Sequence, residues 1–208
     1  MKKNFHALVL ILLAALHITS CAQKPETKQQ TMETLKDKKV LVAFFSRADE
    51  NYAVGHIETG NTQILAEMIA AETGGTLFHI EPAVPYPADY TECTETAQRE
   101  LNSNARPAVK GDVPVEEYDI IFLGYPNWWG DVPMPVYTFI EKHDWQGKTV
   151  VPFCTHEGSG LGATARRVER ACKGATMLPG LAVRGATAQN SRDEAREAVR
   201  KWLKSLNF

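Results

Sequence analysis

Five short apolar runs separated by helical patterns restrict this chain to few architectures. The runs are residues 40–45, 76–80, 119–123, 149–154 and, more weakly, 176–183. In the third, Ile120, Ile121, Phe122 and Leu123 are consecutive, so a strand there needs apolar cover on both faces. Between runs, Ile64, Leu65, Met68 and Ile69 fall on one face of a helix over residues 62–72, stopped by Gly74-Gly75. Further helices are expected over residues 88–102, 135–143 and 163–171. A last helix starts at Ser191, where Glu194 completes a capping-box pattern, and carries the stripe Ala195, Ala198, Val199, Trp202 and Leu206. Strands covered on both faces and alternating with helices make a parallel sheet between helical layers. The expected fold is therefore α/β, a doubly wound, five-stranded parallel sheet. With 208 residues and 44% hydrophobic side chains, the chain has material for one such domain.

The first twenty residues read as an address rather than as part of that domain. Lys2 and Lys3 precede an apolar run over residues 7–18, broken by His17. That run is too short to cross a bilayer core of about 30 Å, but it suits a signal peptide. Ile18-Thr19-Ser20-Cys21 resembles a bacterial lipobox, so residues 1–20 are expected to be cleaved and Cys21 lipidated. Residues 22–39 are rich in Gln, Lys, Thr and Glu and cannot bury enough surface to order themselves. Residues 21–38 are thus expected to be a flexible tether and 39–208 the folded domain. The expected location is a bacterial cell envelope, on the periplasmic side or outer surface, with the lipid as the only membrane attachment. Of the remaining cysteines, Cys154 lies inside an apolar run and reads as a small core residue, while a Cys93–Cys172 bridge stays open.

In such sheets ligands bind beyond the carboxyl ends of the strands, where strand order reverses. Three loops there carry unusual residues. The first run leads into Ser46 and Arg47, then an insertion (residues 48–58), then Thr59-Gly60-Asn61-Thr62 at a helix start. Hydroxyls, a glycine and free amides at a helix N-terminus suit a phosphate dianion, and Arg47 can add a charge-assisted contact. After the third run comes Gly124-Tyr125-Pro126-Asn127-Trp128-Trp129-Gly130-Asp131. A tryptophan pair between glycines is costly to leave in water, and a flat aromatic ligand would cover it. After the fourth run comes Thr155-His156-Glu157-Gly158-Ser159-Gly160, whose small residues let backbone amides approach a ligand edge.

These three loops, on a chain of alternating strands and helices, resemble the flavodoxin-like family over residues 39–208. The stretches GYPNWWG and FCTHEGSG are especially similar to a flavodoxin-type subfamily common in anaerobic bacteria. The resemblance implies strand order 2-1-3-4-5 and FMN as cofactor. Ser46, Arg47, Gly60, Asn61 and Thr62 would then hold the phosphate. Trp128 and Trp129 would flank the isoalloxazine, with Pro126, Asn127, Gly130, Thr155, His156, Gly158 and Ser159 at the ring and ribityl chain. The implied role is electron transfer to a redox partner protein or a small-molecule acceptor, with no side chain acting as acid, base or nucleophile. Two other readings are an FMN-dependent NAD(P)H quinone or nitro reductase and a flavodoxin-shaped binding module without enzymatic activity. Glu157 departs from the family pattern, which has glycine there. A carboxylate facing the ring would disfavour an anionic reduced flavin and lower its potential.

Other chemistries find little support. A formal net charge of -2 gives no electrostatic case for nucleic acid. Gly158-Ser159-Gly160-Leu161-Gly162-Ala163 spells a dinucleotide fingerprint, but it follows the fourth strand rather than the first. The acidic residue expected about 20 positions on is replaced by Val183 and Arg184, which leaves NADP only marginally open. His56-Ile57-Glu58 lacks the Pro-Cys-x-x-Cys of a deaminase, and no histidine pair has the helical spacing of metal ligands.

Overall fold

The computed structural model of the protein describes residues 35–206 and 208. The expected signal peptide, the lipidation site Cys21 and most of the expected tether lie outside the described residues. In chain order the strands are β1 (Val40–Phe44), β2 (Asp49–Asn51), β3 (Gly55–Ile57), β4 (Thr76–His79), β5 (Ile120–Pro126), β6 (Thr149–His156), β7 (Thr176–Met177) and β8 (Leu181–Arg184). The helices are α1 (Asn61–Thr73), α2 (Tyr90–Asn102), α3 (Met134–Ile140), α4 (Thr164–Ala171), α5 (Gly185–Asn190) and α6 (Arg192–Ser205). The main sheet runs β4-β1-β5-β6, with β7 and β8 both on the far side of β6, and every pairing in it is parallel. This is the expected 2-1-3-4-5 order.

The pleat sorts each strand's side chains onto two cores. Val40, Val42, Phe44, Phe122, Val151 and Phe153 face α1 and α6, meeting Ile64, Leu65, Ile69 and Trp202. Leu41, Ala43, Ile121, Leu123, Tyr125 and Val150 face the other way, onto Val136, Phe139 and Ile140 of α3 and Val168 of α4. The consecutive apolar residues of the sequence are thus explained by helices on both sides. Cys93, Cys154 and Cys172 are all free and buried, which closes the Cys93–Cys172 alternative. Among the described residues, no helix is long and apolar enough to cross a membrane.

Two expectations need correction. The fifth strand is two pieces, because Val151-Pro152 of β6 stands opposite three residues, Leu178-Pro179-Gly180. Neither Pro152 nor Pro179 has an N–H to continue the ladder, so the chain bulges between β7 and β8. The capping box at Ser191 does not form: its side chain makes no cap bond, and its N–H donates to Thr187 O to end α5. A residue that closes one helix while opening the next lacks the backbone geometry of a free N-cap. Leu35, within the stretch expected to be a tether, is 3% exposed and belongs to the same apolar cluster as Val40 and Leu65. The 48–58 insertion, whose course the sequence leaves open, pairs within itself as an antiparallel hairpin, β2–β3.

Gly124, in the middle of the sheet, shows how little slack the core has. A Cβ there would overlap the ring of Phe153, which is fully buried. Gly124→Ala is therefore expected to lower unfolding free energy by about 1–3 kcal/mol, read as a reduced urea midpoint at unchanged slope.

Candidate functional site

A cleft of about 280 Å³ opens beyond the carboxyl ends of β5 and β6, beside the N-terminus of α1. Its base is the start of that helix. Gly60 is the N-cap and has no side chain to offer, so no cap bond is made there. Ser46 Oγ accepts from the Gln63 N–H at 3.0 Å. The N–H groups of Asn61 and Thr62 have no acceptor among the described residues. Gly60 itself is fixed by space rather than by dihedral: a Cβ would overlap Ser46 Oγ and the Arg47 carbonyl. Gln189 of α5 braces this corner, donating to Thr59 O at 2.7 Å and Asn61 Oδ1 at 2.9 Å.

Two of the expected phosphate residues have other duties. Thr62 is 1% exposed, and its hydroxyl shares a 2.8 Å hydrogen bond with Thr155 Oγ1, tying α1 to the end of β6. Arg47 reaches the cleft, but its Nη1 donates to Glu50 O at 2.5 Å and its Nη2 to Pro87 O at 2.7 Å and Ala88 O at 2.6 Å. The fork is committed to clasping the hairpin onto the body. Of the three guanidinium nitrogens, Nε alone is buried without a partner.

Both tryptophans border the cleft, and their settings differ. Trp128 is held edge-on by Phe45 and Tyr86, at centroid distances of 5.3 and 5.2 Å. Trp129 is 54% exposed, with its Nε1 donating to Thr94 O of α2 at 3.1 Å. The pair sits in a tight turn closed by mutual hydrogen bonds between Trp128 and Asp131, with φ of +54° at Trp129 and +77° at Gly130. Positive φ costs a bulky residue about 1–3 kcal/mol, and such strain persists only where neighbours enforce it. Asp131 supplies the enforcement. Its buried carboxylate accepts from the Val132 N–H and the Tyr137 hydroxyl and pairs with Arg167 at 2.9 Å.

The third loop presents His156. Its Nδ1 accepts from the Gly158 N–H at 2.9 Å, so the neutral ring carries its proton on Nε2. Burial holds its pKa below the ordinary 6.5, with Glu157 opposing that shift and Arg184 adding to it. Glu157 also borders the cleft, but its Oε1 accepts from the Ala186 N–H at 2.7 Å, at the start of α5. Asn127 Nδ2 donates to Gly160 O at 2.9 Å and ties the second loop to the third. Pro126, Asn127, Asn61 and Thr155 line the cleft with the tryptophans. Ser46, Gly60, Thr62, Gly130, Gly158 and Ser159 do not line it, and the first three shape the helix start beneath it.

The opposite wall was not legible as a site. It consists of Asn51 and Tyr52 from the hairpin and of Tyr90, Cys93, Thr94 and Ala97 from α2. The α2 residues stand at i, i+3, i+4 and i+7, a helical stripe visible in the sequence. Burial pushes the Cys93 thiol up to about 11, so it is a lining group and not a nucleophile. Among the described residues no group of His, Cys, Asp and Glu is placed to hold a metal ion.

Unpaired helix amides, a buried guanidinium nitrogen and exposed aromatic rings fit a phosphorylated, flat aromatic group. The His156 geometry gives a direct check. An NMR titration of the imidazole is expected to show the Nε2–H tautomer and a midpoint below 6.5. The folded chain then binds that proton less tightly than the unfolded chain. The stability contribution is full above pH 6.5 and declines as pH falls through the lowered value.

The flavodoxin family model matches residues 39–206. A candidate flavoprotein of Bacteroides eggerthii is 34% identical, with a TM-score of 0.65 over 81% of this chain and 97% of that one. A second, from Bacteroides uniformis, is 31% identical with a TM-score of 0.64, over 81% and 99% of the two chains. A flavoprotein of Lactobacillus acidophilus, crystallised with FMN, shares the fold at 20% identity and a TM-score of 0.56, over 74% and 97%. No curated protein matches this chain. By the extent of the family match and by these relatives, the chain belongs to the flavodoxin family.

Proposed function

We propose that the protein binds FMN in this cleft and acts as an electron carrier, attached to a bacterial envelope through lipid on Cys21. The observation that carries the reading is the start of α1: two amides without acceptors follow a glycine that admits no side chain, beside an aromatic cleft that Asn61 lines. The FMN complex of the Lactobacillus acidophilus protein supports the choice of flavin.

The Asn61 and Thr62 amides and Arg47 Nε would hold the phosphate, aided by the positive end of the helix dipole. Trp128 and Trp129 would meet the ring, and His156 Nε2–H would donate to an acceptor on its polar edge. Bound FMN supplies the one- or two-electron chemistry, and the protein supplies orientation and electrostatics. No acid, base or nucleophile is required of the side chains. The loops do their work by being fixed in advance. The Thr62–Thr155 and Asn127–Gly160 bonds join the three loops, and the Asp131 cluster anchors the second loop to α3 and α4.

Titration of the purified protein with FMN, followed by flavin and tryptophan fluorescence, is expected to show submicromolar binding. Trp129→Ala should weaken it about tenfold, equivalent to about 1.4 kcal/mol, and Gly60→Ala should weaken it further by displacing the helix start. Absence of FMN binding by a folded protein would overturn the reading.

A further inference from the structure

A second open cleft, of about 430 Å³, is bordered by α2, α3 and α4 and shares no lining residue with the flavin cleft. Its volume falls in the range of about 300–1,000 Å³ usual for small-molecule sites. Three arginines (Arg106, Arg167, Arg170) and two carboxylates (Asp131, Glu141) line it. Both carboxylates are already matched. Glu141 takes both prongs of Arg106, at 2.8 Å from Nε and 2.7 Å from Nη2. The buried Asp131 accepts from the Val132 N–H and the Tyr137 hydroxyl and pairs with Arg167 Nη1. Arg106 is locked as well: its Nη1 donates to Asn104 O and Oδ1, and its guanidinium lies 5.1 Å over the Tyr137 ring. It forms a wall of the cleft rather than a free donor.

The surplus charge sits on α4. Arg167 and Arg170 stand at i and i+3, on one face of that helix. Arg167 spends only Nη1 on Asp131, and Arg170 has no hydrogen bond or ion pair among the described residues. Three guanidinium groups against two carboxylates leave one positive charge unmatched in the cleft. Neighbouring forks of this kind suit an oxyanion, which can take two N–H groups at once. Apolar side chains define the rest of the ligand. Leu101, Ala171 and the buried Met134 line the same cleft. An inorganic dianion would leave those surfaces wet and would exceed the single unmatched charge beside two carboxylates.

We propose that this cleft binds a small monocarboxylate with an apolar body, its carboxylate on Arg167 and Arg170 and its body against Leu101, Met134 and Ala171. The site is separate from the flavin cleft but meets the same loop. Asp131, which pairs with Arg167 here, also closes the turn that carries Trp128 and Trp129. The assignment holds whether or not the other cleft takes FMN.

The test is titration of the full chain with benzoate at constant ionic strength, followed by calorimetry and by the NMR signal of the Met134 methyl group. Saturable binding that shifts this methyl is expected. Benzamide, a neutral molecule of the same shape, and sulfate, which has no apolar body, should each bind at least about tenfold more weakly. Arg170→Gln should weaken benzoate about fivefold or more, and Arg170→Lys, which keeps the charge but not the fork, should recover only part of the loss. Arg166→Gln, on the same helix but outside the cleft, should leave benzoate binding unchanged. Both positions are exposed, so the urea midpoint of each variant should stay at that of the parent chain. The inference is overturned if benzoate does not saturate, if it leaves the Met134 methyl unshifted, or if benzamide or sulfate binds as tightly. It is equally overturned if Arg170→Gln weakens benzoate no more than Arg166→Gln does.

Discussion

Everything at the cleft depends on how tightly the start of α1 is pressed against the end of β1. Gly60 fits beneath Ser46 and Arg47 only because it has no Cβ. That close approach lets Ser46 Oγ satisfy one helix amide while two others stay unpaired. Unpaired amides at a helix start, with the positive end of the dipole behind them, are where a dianion would be held. The Thr62–Thr155 hydrogen bond then ties α1 to β6, so the helix start and the third loop are positioned together.

The aromatic side of the cleft follows the same logic of strain imposed from beneath. Trp129 adopts a left-handed backbone that it would avoid in isolation, and the buried Asp131 holds the turn in that shape. Trp128 is held edge-on by Phe45 and Tyr86, whereas Trp129 leaves its ring exposed and is tethered by Nε1 to Thr94 O. Across the cleft the hairpin is held by backbone carbonyls converging on one guanidinium. The arginine that sequence reasoning assigns to an anion thereby becomes a structural clasp, with one buried nitrogen left over.

Much of this is legible in the sequence. Consecutive apolar residues in β5 required cover on both faces, and the alternation of runs and helical patterns gave the sheet and its three functional loops. The departures have local causes. Strand five broke because prolines at 152 and 179 remove donors on both sides of one pairing. Ser191 could not cap α6 while also ending α5. Thr62 had the right residue type for an anion contact, but its hydroxyl had a better partner 93 positions away, which spacing alone does not reveal. The hairpin wall was missed because a polar insertion carries no periodicity, although the stripe Tyr90, Cys93, Thr94, Ala97 was there to be read.

The central claim is that the unpaired amides at the start of α1 select a phosphate. The most direct measurement is the ratio of affinities for FMN and for riboflavin, which differ only by that group. Two charge-assisted hydrogen bonds of about 1.5 kcal/mol each predict FMN to bind at least about a hundredfold more tightly, with the difference shrinking at high salt. Equal affinities would contradict the account, leaving the aromatic cleft but removing the reason for the glycine beneath it.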